Sequence, residues 1–175
     1  MVSMSSTVIV NRAEGKDIEL LCPILETWLR DSETGELLPN EVEEVLRFVR
    51  KSVEGHGDRV YLVARDDLGK VLGMVGFKPP EGRMREFAET GRTAELINAF
   101  VAREHQGEEV GRALVAKLEE EAKALGYKEI VLNSGPRYRD TGWGFYDKLE
   151  GYKRVGVIED MYGEDKDAVV WRKLL

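Results

Sequence analysis

"VAREHQGEEVGRAL", Val101 to Leu114, is the stretch whose reading decides the fold. Just upstream, "ELINAFV" has the apolar content of a strand. Downstream, Val110, Leu114, Leu118 and Leu125 recur on one face of a helix expected from about Glu109 to Leu125, with Gly126 as its C-cap. A strand therefore runs through a short connection into a helix. The first amides of such a helix lack carbonyl partners and lie at the positive end of its dipole, which makes the turn a candidate anion site. Gly107 and Gly111 remove side chains where a ligand or a neighbouring backbone approaches closely. Between them stand Glu108 and Glu109, which an anion should disfavour. On these residues alone two readings stay open, an anion-binding turn or an acidic helix start that merely complements the dipole. No Gly-Lys-Ser/Thr follows, so this is not a Walker P-loop, and it is not the Gly-x-Gly-x-x-Gly dinucleotide turn.

Outward from that turn, the chain divides into alternating elements. A first strand is expected at Thr7–Arg12, where Val8 and Val10 alternate with polar neighbours. Ile18, Leu21, Ile24, Leu25 and Trp28 then recur at helical spacing, and "SETGELLPN" breaks the chain. Val42, Val45, Leu46 and Val49 repeat the pattern, with Asn40 as the expected N-cap and Glu43 three residues on. Strands Val60–Arg65 and Val71–Phe77 flank an Asp-Asp-Leu-Gly turn and read as a hairpin. The polar connection "KPPEGRMREFAETGR" leads to a strand at Ala94–Val101, and its length suits a mobile, substrate-facing segment better than core. "EIVLN" is a short strand expected to be buried on both faces. A short helix around Trp143–Leu149 and strands near Tyr152–Ile158 and Ala168–Arg172 complete the series. The order β-α-α-β-β-β-α-β-α-β-β predicts an α/β (α+β) fold, a mixed sheet with helices on both faces. Its central β-α-β crosses over right-handed, with parallel strands.

The totals agree with a single soluble domain over residues 1–175. Length suffices for a real core, and 42% hydrophobic with 34% charged residues describes a globular chain. A net charge of −7 argues against nucleic acid or an anionic membrane as partner and is compatible with a cationic small substrate. The one cysteine, Cys22, cannot form an internal disulfide and fits a reducing, cytoplasmic setting. The N-terminal "MVSMSSTVIVNRAEG" has neither the basic region nor the apolar run of a signal peptide, and no stretch approaches the ~20 apolar residues of a membrane span. His56 and His105 show no metal-ligand spacing, so no metal is expected. Cys22, with Leu21, Ile24 and Leu25, reads as core packing and not as a nucleophile, and "KLEEEAK" reads as a solvated helix face with Glu119–Lys123 pairing.

The element order, together with "FVAREHQGEEVGRALVAKLEEEAKALGYKEIVLN" and "GFYDKLEGYKRVG", resembles the GNAT superfamily of N-acetyltransferases over nearly the whole chain. The resemblance implies a central mixed sheet of about six or seven strands with about four helices on both faces. It is most specific at the coenzyme A pyrophosphate turn, Arg/Gln-x-x-Gly-x-Gly/Ala. Gln106 takes the first place and Gly111 the last, with Glu109 where glycine is usual. By the resemblance, backbone amides of Gln106, Gly107, Glu108, Glu109, Val110, Gly111 and Arg112 hold the pyrophosphate, and the strand end at Phe100–Val101 pairs with the pantetheine arm. The cofactor would splay the sheet between the Ala94–Val101 strand and "EIVLN". Any non-proline residue supplies an amide, so Glu109 serves if its side chain points outward. Arg103 and Arg112 offset repulsion if they face the cofactor.

The implied reaction takes acetyl-CoA and an amine acceptor. A free alkyl ammonium has a pKa near ~10.4 and must lose a proton before attack, and the leaving thiolate must gain one. The resemblance nominates Tyr146 as the acid, with a further place beside the cofactor, against a tyrosine simply packed beside Phe145 and Leu149. Glu150, inserted before Gly151, lengthens the helix end relative to the family. Glu95 is the nominated base, direct or through water, against a solvated carboxylate or a partner for Arg92. Asn98 is a polar residue in an apolar run and needs partners. Asn133 is implied near the cofactor arm. Arg137, Tyr138, Arg139 and Trp143 make "SGPRYRDTGWG" unusual, the arginines open to contact with a coenzyme A phosphate or an acidic substrate, with surface pairing to carboxylates the commoner outcome. Acceptors other than a small amine (a protein N-terminus or a lysine), and a non-catalytic acyl-CoA-binding module, are the alternatives, and the family implies a possible homodimer.

Overall fold

The computed structural model describes residues 7–107 and 109–175. In chain order the elements are β1 (Ile9–Arg12), α1 (Asp17–Trp28), α2 (Pro39–Val53), β2 (Val60–Arg65), β3 (Val71–Lys78), β4 (Thr93–Val101), α3 (Glu109–Ala124), β5 (Glu129–Ser134), α4 (Gly142–Lys148), β6 (Lys153–Ile158) and β7 (Ala168–Leu174). Short 3₁₀ turns lie at Gly82–Phe87, Arg103–His105 and Pro136–Tyr138. The strands form one seven-stranded mixed sheet in the order β1-β2-β3-β4-β5-β7-β6. β4 and β5 are parallel, as the expected crossover requires, whereas β1–β2, β5–β7 and β6–β7 are antiparallel. The chain divides into two compact units, one of residues up to Gly76 with Asn98–Leu118, the other of Phe77–Ile97 with Glu119–Leu175.

In the first unit α1 and α2 pack on each other, burying Leu21, Leu25 and Val49 completely. The start of α1 is pinned to β2 by a pair that periodicity does not announce. Asp17 is fully buried, accepts the Glu14 amide at 2.7 Å and receives both terminal nitrogens of Arg65. Asn40 is not the N-cap of α2. The helix begins at Pro39 behind Leu38, with no side-chain cap, because proline's fixed φ suits the first helical position and its missing N–H costs nothing there. The β2–β3 hairpin turns as expected. Asp66 Oδ1 accepts the amides of Leu68 and Lys70, and Gly69 takes a φ of +83°.

In the second unit a core of Met84, Val131, Ile158, Ala168 and Val170 gathers Phe87, Val155 and Met161 around it. This corrects the expectation of a mobile polar segment between β3 and β4. Residues Gly82–Phe87 wind as a 3₁₀ turn, whose period of three puts Met84 and Phe87 on one side. A Cβ on Gly156 would stand 2.5 Å from Phe87 Cε1, so that glycine makes room for the ring. Glu119 is also corrected. It binds the Lys173 ammonium of β7, with its second oxygen at 3.0 Å, instead of lying on a solvated face opposite Lys123.

Candidate active site

In the first unit the second half of β4 departs from regular strand geometry. Asn98 adopts a φ of +50°, a conformation that asparagine tolerates better than most residues, and its Oδ1 accepts the Tyr61 hydroxyl at 2.9 Å. Burial pushes the Tyr61 pKa up. Phe100 is buried, and its carbonyl passes close to Gly73, where a Cβ would stand 2.7 Å away. The Val101 carbonyl accepts the Trp28 indole at 2.8 Å, and Arg103 lies over the Trp28 ring at 4.8 Å. Arg103 is thus stacked on α1's last residue, a role its sequence context did not suggest.

The described residues of the turn are largely exposed. Gln106 is exposed and its amide reaches the Arg103 carbonyl at 3.3 Å. Gly107 has a φ of +154° with no atom within 4 Å of an added Cβ. Glu109 opens α3 with an exposed side chain, Val110 is buried, Gly111 is half-buried and Arg112 is exposed. Amides of the first turn of α3 lack intrahelical partners, so they remain available to an anion. Glu108, which the sequence placed among these donors, lies outside the described residues. In the same unit Cys22 is half-buried and donates to Glu26 Oε1 at 3.0 Å. That bond, then burial and the glutamate's charge, push its pKa up to about 11, which keeps it a thiol.

The second unit brings Glu95 and Asn133 onto one face of the sheet. The β4–β5 ladder runs through Thr93–Glu129, Ala94–Ile130 and Glu95–Val131. Val131 pairs with Arg172 and Asn133 with Val170 across β7, so by alternation Glu95, Val131, Asn133, Val170 and Arg172 share a face. Glu95 is not solvated. It is 6% exposed, and the Lys78 ammonium, itself buried, stands 3.2 Å from its carboxylate. Asn133 Oδ1 accepts the Tyr162 hydroxyl. The Tyr162 ring lies over Gly135, where a Cβ would meet it at 2.6 Å.

Tyr146 belongs to the opposite face. Its ring packs against Trp171, with centroids 5.3 Å apart, and Trp171 pairs with Leu132. Phe145 meets it edge-on at 5.2 Å. Asp147 holds α4 in place. It accepts two bonds from Arg154, at 2.8 and 2.7 Å, and one from the Trp171 indole at 3.0 Å. Burial, with a smaller contribution from Tyr138, pushes the Tyr146 pKa well above the ordinary phenol value. Trp143 donates to the carbonyls of Ser134 and Gly135, and Arg139 stacks over its ring at 5.2 Å. Arg137 lies over Tyr138 at 5.9 Å. Among the described residues no cluster of His, Cys, Asp or Glu is arranged to hold a metal.

The acetyltransferase (GNAT) family model matches residues 23–152, which contain the turn before α3 and the Glu95, Asn133 and Tyr146 positions. The chain belongs to the GNAT acetyltransferase family. GNAT relatives of known structure share its fold along nearly their whole length. A GNAT-family protein from Desulfovibrio desulfuricans superposes with a TM-score of 0.76 at 20% identity, covering 96% of this chain and 99% of its own. The PaiA N-acetyltransferase from Thermoplasma acidophilum, in complex with coenzyme A, gives 0.67 at 18% identity, covering 97% and 99%. A phosphinothricin acetyltransferase from Sinorhizobium meliloti, in complex with AcCoA, gives 0.70 at 23% identity, covering 97% and 89%. No curated protein matches the chain. GNAT membership gives acetyltransferase activity as the class of chemistry, and no described helix is long and apolar enough to cross a membrane.

Lys78, Tyr162 and Trp28 were not among the residues the sequence nominated. Each acts through a contact distant along the chain, and the sequence signals only a charged or aromatic residue bordering an apolar run.

Proposed function

We propose that this protein transfers an acetyl group from acetyl-CoA to a primary amine, by direct attack in a ternary complex. The observation that carries the reading is the placement of Glu95 and Tyr146. They flank the sheet from opposite faces beside the point where the β4–β5 ladder ends at Glu95–Val131. A carboxylate and a phenol are a pair that amine acetylation can use, one to take a proton and one to give it. Glu95 receives the ammonium proton, directly or through water. Tyr146, protonated at neutral pH as any phenol is and made a weaker acid by its burial, donates to the departing sulfur as negative charge builds there.

The residues of the turn before α3 fit the cofactor. The amides of Gly107 and of the first turn of α3 would hold the pyrophosphate, and position 109 contributes its amide while its carboxylate stays in solvent. Phe100–Val101 would meet the pantetheine arm. When bound, acetyl-CoA supplies the activated acyl group. The net charge of −7 favours a cationic acceptor, and neighbours of the same fold carry names such as aminoglycoside 6'-acetyltransferase.

Release of free thiol from acetyl-CoA over a panel of small amines, N-terminal peptides and lysine-bearing proteins tests the reading. We expect turnover with at least one small primary amine. Turnover with peptides or proteins alone moves the acceptor to that class. Thermal stabilisation by acetyl-CoA without any thiol release makes the protein a binding module.

A further inference from the structure

The Lys78–Glu95 pair has no counterpart in the reaction as described. Lys78 closes β3 with 8% of its surface exposed, an unusual burial for a lysine, and its ammonium stands 3.2 Å from Glu95 and 3.6 Å from Glu81. Glu81 is largely exposed and Glu95 is buried, so the close partner is also the desolvated one. Two further charged groups, Glu129 and Arg172, lie on the same face. Glu129 accepts the Thr93 hydroxyl and the Glu89 amide, and Arg172 binds Glu89 at 2.7 Å and approaches Glu129 at 3.6 Å.

We propose that Lys78 is a positioning residue that keeps Glu95 ionised and fixed in orientation, and so sets the lower pH limit of the reaction. This rests on the reading of Glu95 as the base. A buried carboxylate without a cation favours its protonated form and cannot accept a proton, while an ammonium within 4 Å reverses that preference. The pair also has a cost. An ammonium that holds the carboxylate weakens it as a base, so Lys78 exchanges basicity for availability.

The test is a carbon-detected NMR titration of the Glu95 side-chain carboxyl in the full-length protein, wild type, Lys78→Gln and Lys78→Arg. The quantity read is the midpoint of that carboxyl in each protein. In Lys78→Gln it rises by about one pH unit or more, and Lys78→Arg restores it. A wild-type midpoint at or above neutrality overturns the proposal even if the variants fail to fold, and so does an unmoved midpoint in a folded Lys78→Gln protein. With an acceptor in hand, the acid limb of kcat/KM moves up by the same amount in Lys78→Gln, while the KM for acetyl-CoA stays put. Glu95→Gln separates the two readings. If it retains full turnover while the NMR midpoint shifts as expected, Glu95 is not the base, yet Lys78 still governs its ionisation.

Discussion

Among the described residues, none gives the buried Tyr152 hydroxyl a hydrogen bond, and the Lys173 ammonium lies over its ring at 5.5 Å. A buried polar atom without a partner costs about 1–3 kcal/mol, so Tyr152→Phe, which keeps the ring, stabilises the protein by about 1 kcal/mol in urea denaturation. Asn98 runs the other way. Its left-handed backbone and its bond from Tyr61 are both lost in Asn98→Val, which we expect to cost about 2–3 kcal/mol in the same measurement. At this scale the sequence was partly legible. Asn98 in an apolar run announced a polar atom needing a partner, and the partner it has is a tyrosine 37 positions away. The sequence offers Glu95 as a base or as a solvated strand-start carboxylate, and its burial against Lys78 follows from β3 and β4 lying side by side, which one strand's pattern cannot show.

The elements were read best where one face alternates with another at a fixed period. α1, α3 and the β2–β3 hairpin appear close to where apolar spacing puts them. Two departures have the same cause, a short local preference that outranks a motif. Pro39 starts α2 one residue before the asparagine that looks like a cap. Met84 and Phe87, only three apart in a polar run, suffice to fold the β3–β4 connection into a 3₁₀ turn against the core. That turn is therefore structural. Met84, 1% exposed, loses about 2–5 kcal/mol of stability on replacement by alanine. Gly156→Ala, by pressing on the Phe87 ring, releases the same turn. Hydrogen exchange over residues 80–90 checks both, with faster exchange expected in each variant.

Across the whole molecule, three buried tyrosines set an alkaline limit. Tyr61, Tyr146 and Tyr152 all have pKa values raised chiefly by burial. Their unfolded values lie near 10, so the unfolded chain releases these protons first. The stability they contribute is complete below about pH 10 and is lost as pH rises from there toward the folded values. Melting temperature should fall steeply above about pH 10, and Tyr152→Phe should flatten that fall. Asp147 acts at the other end. Its pKa is lowered, first by the Arg154 bonds, so its contribution is present above the ordinary carboxylate range and disappears as pH falls through the lowered value.

GNAT membership is legible in the element order taken together with the turn before α3, whose backbone amides do not depend on which non-proline residue stands at position 109. The facing of Glu95 and Tyr146 was not legible, because it follows from register across β4, β5 and β7. The central claim is that Tyr146 gives the proton that lets the thiol leave. Single-turnover and steady-state rates of thiol release for wild type and Tyr146→Phe, with acetyl-CoA affinity measured in parallel, test it most directly. The account predicts a fall in kcat of about 100-fold or more with unchanged acetyl-CoA binding. A Tyr146→Phe enzyme that turns over at the wild-type rate would contradict it.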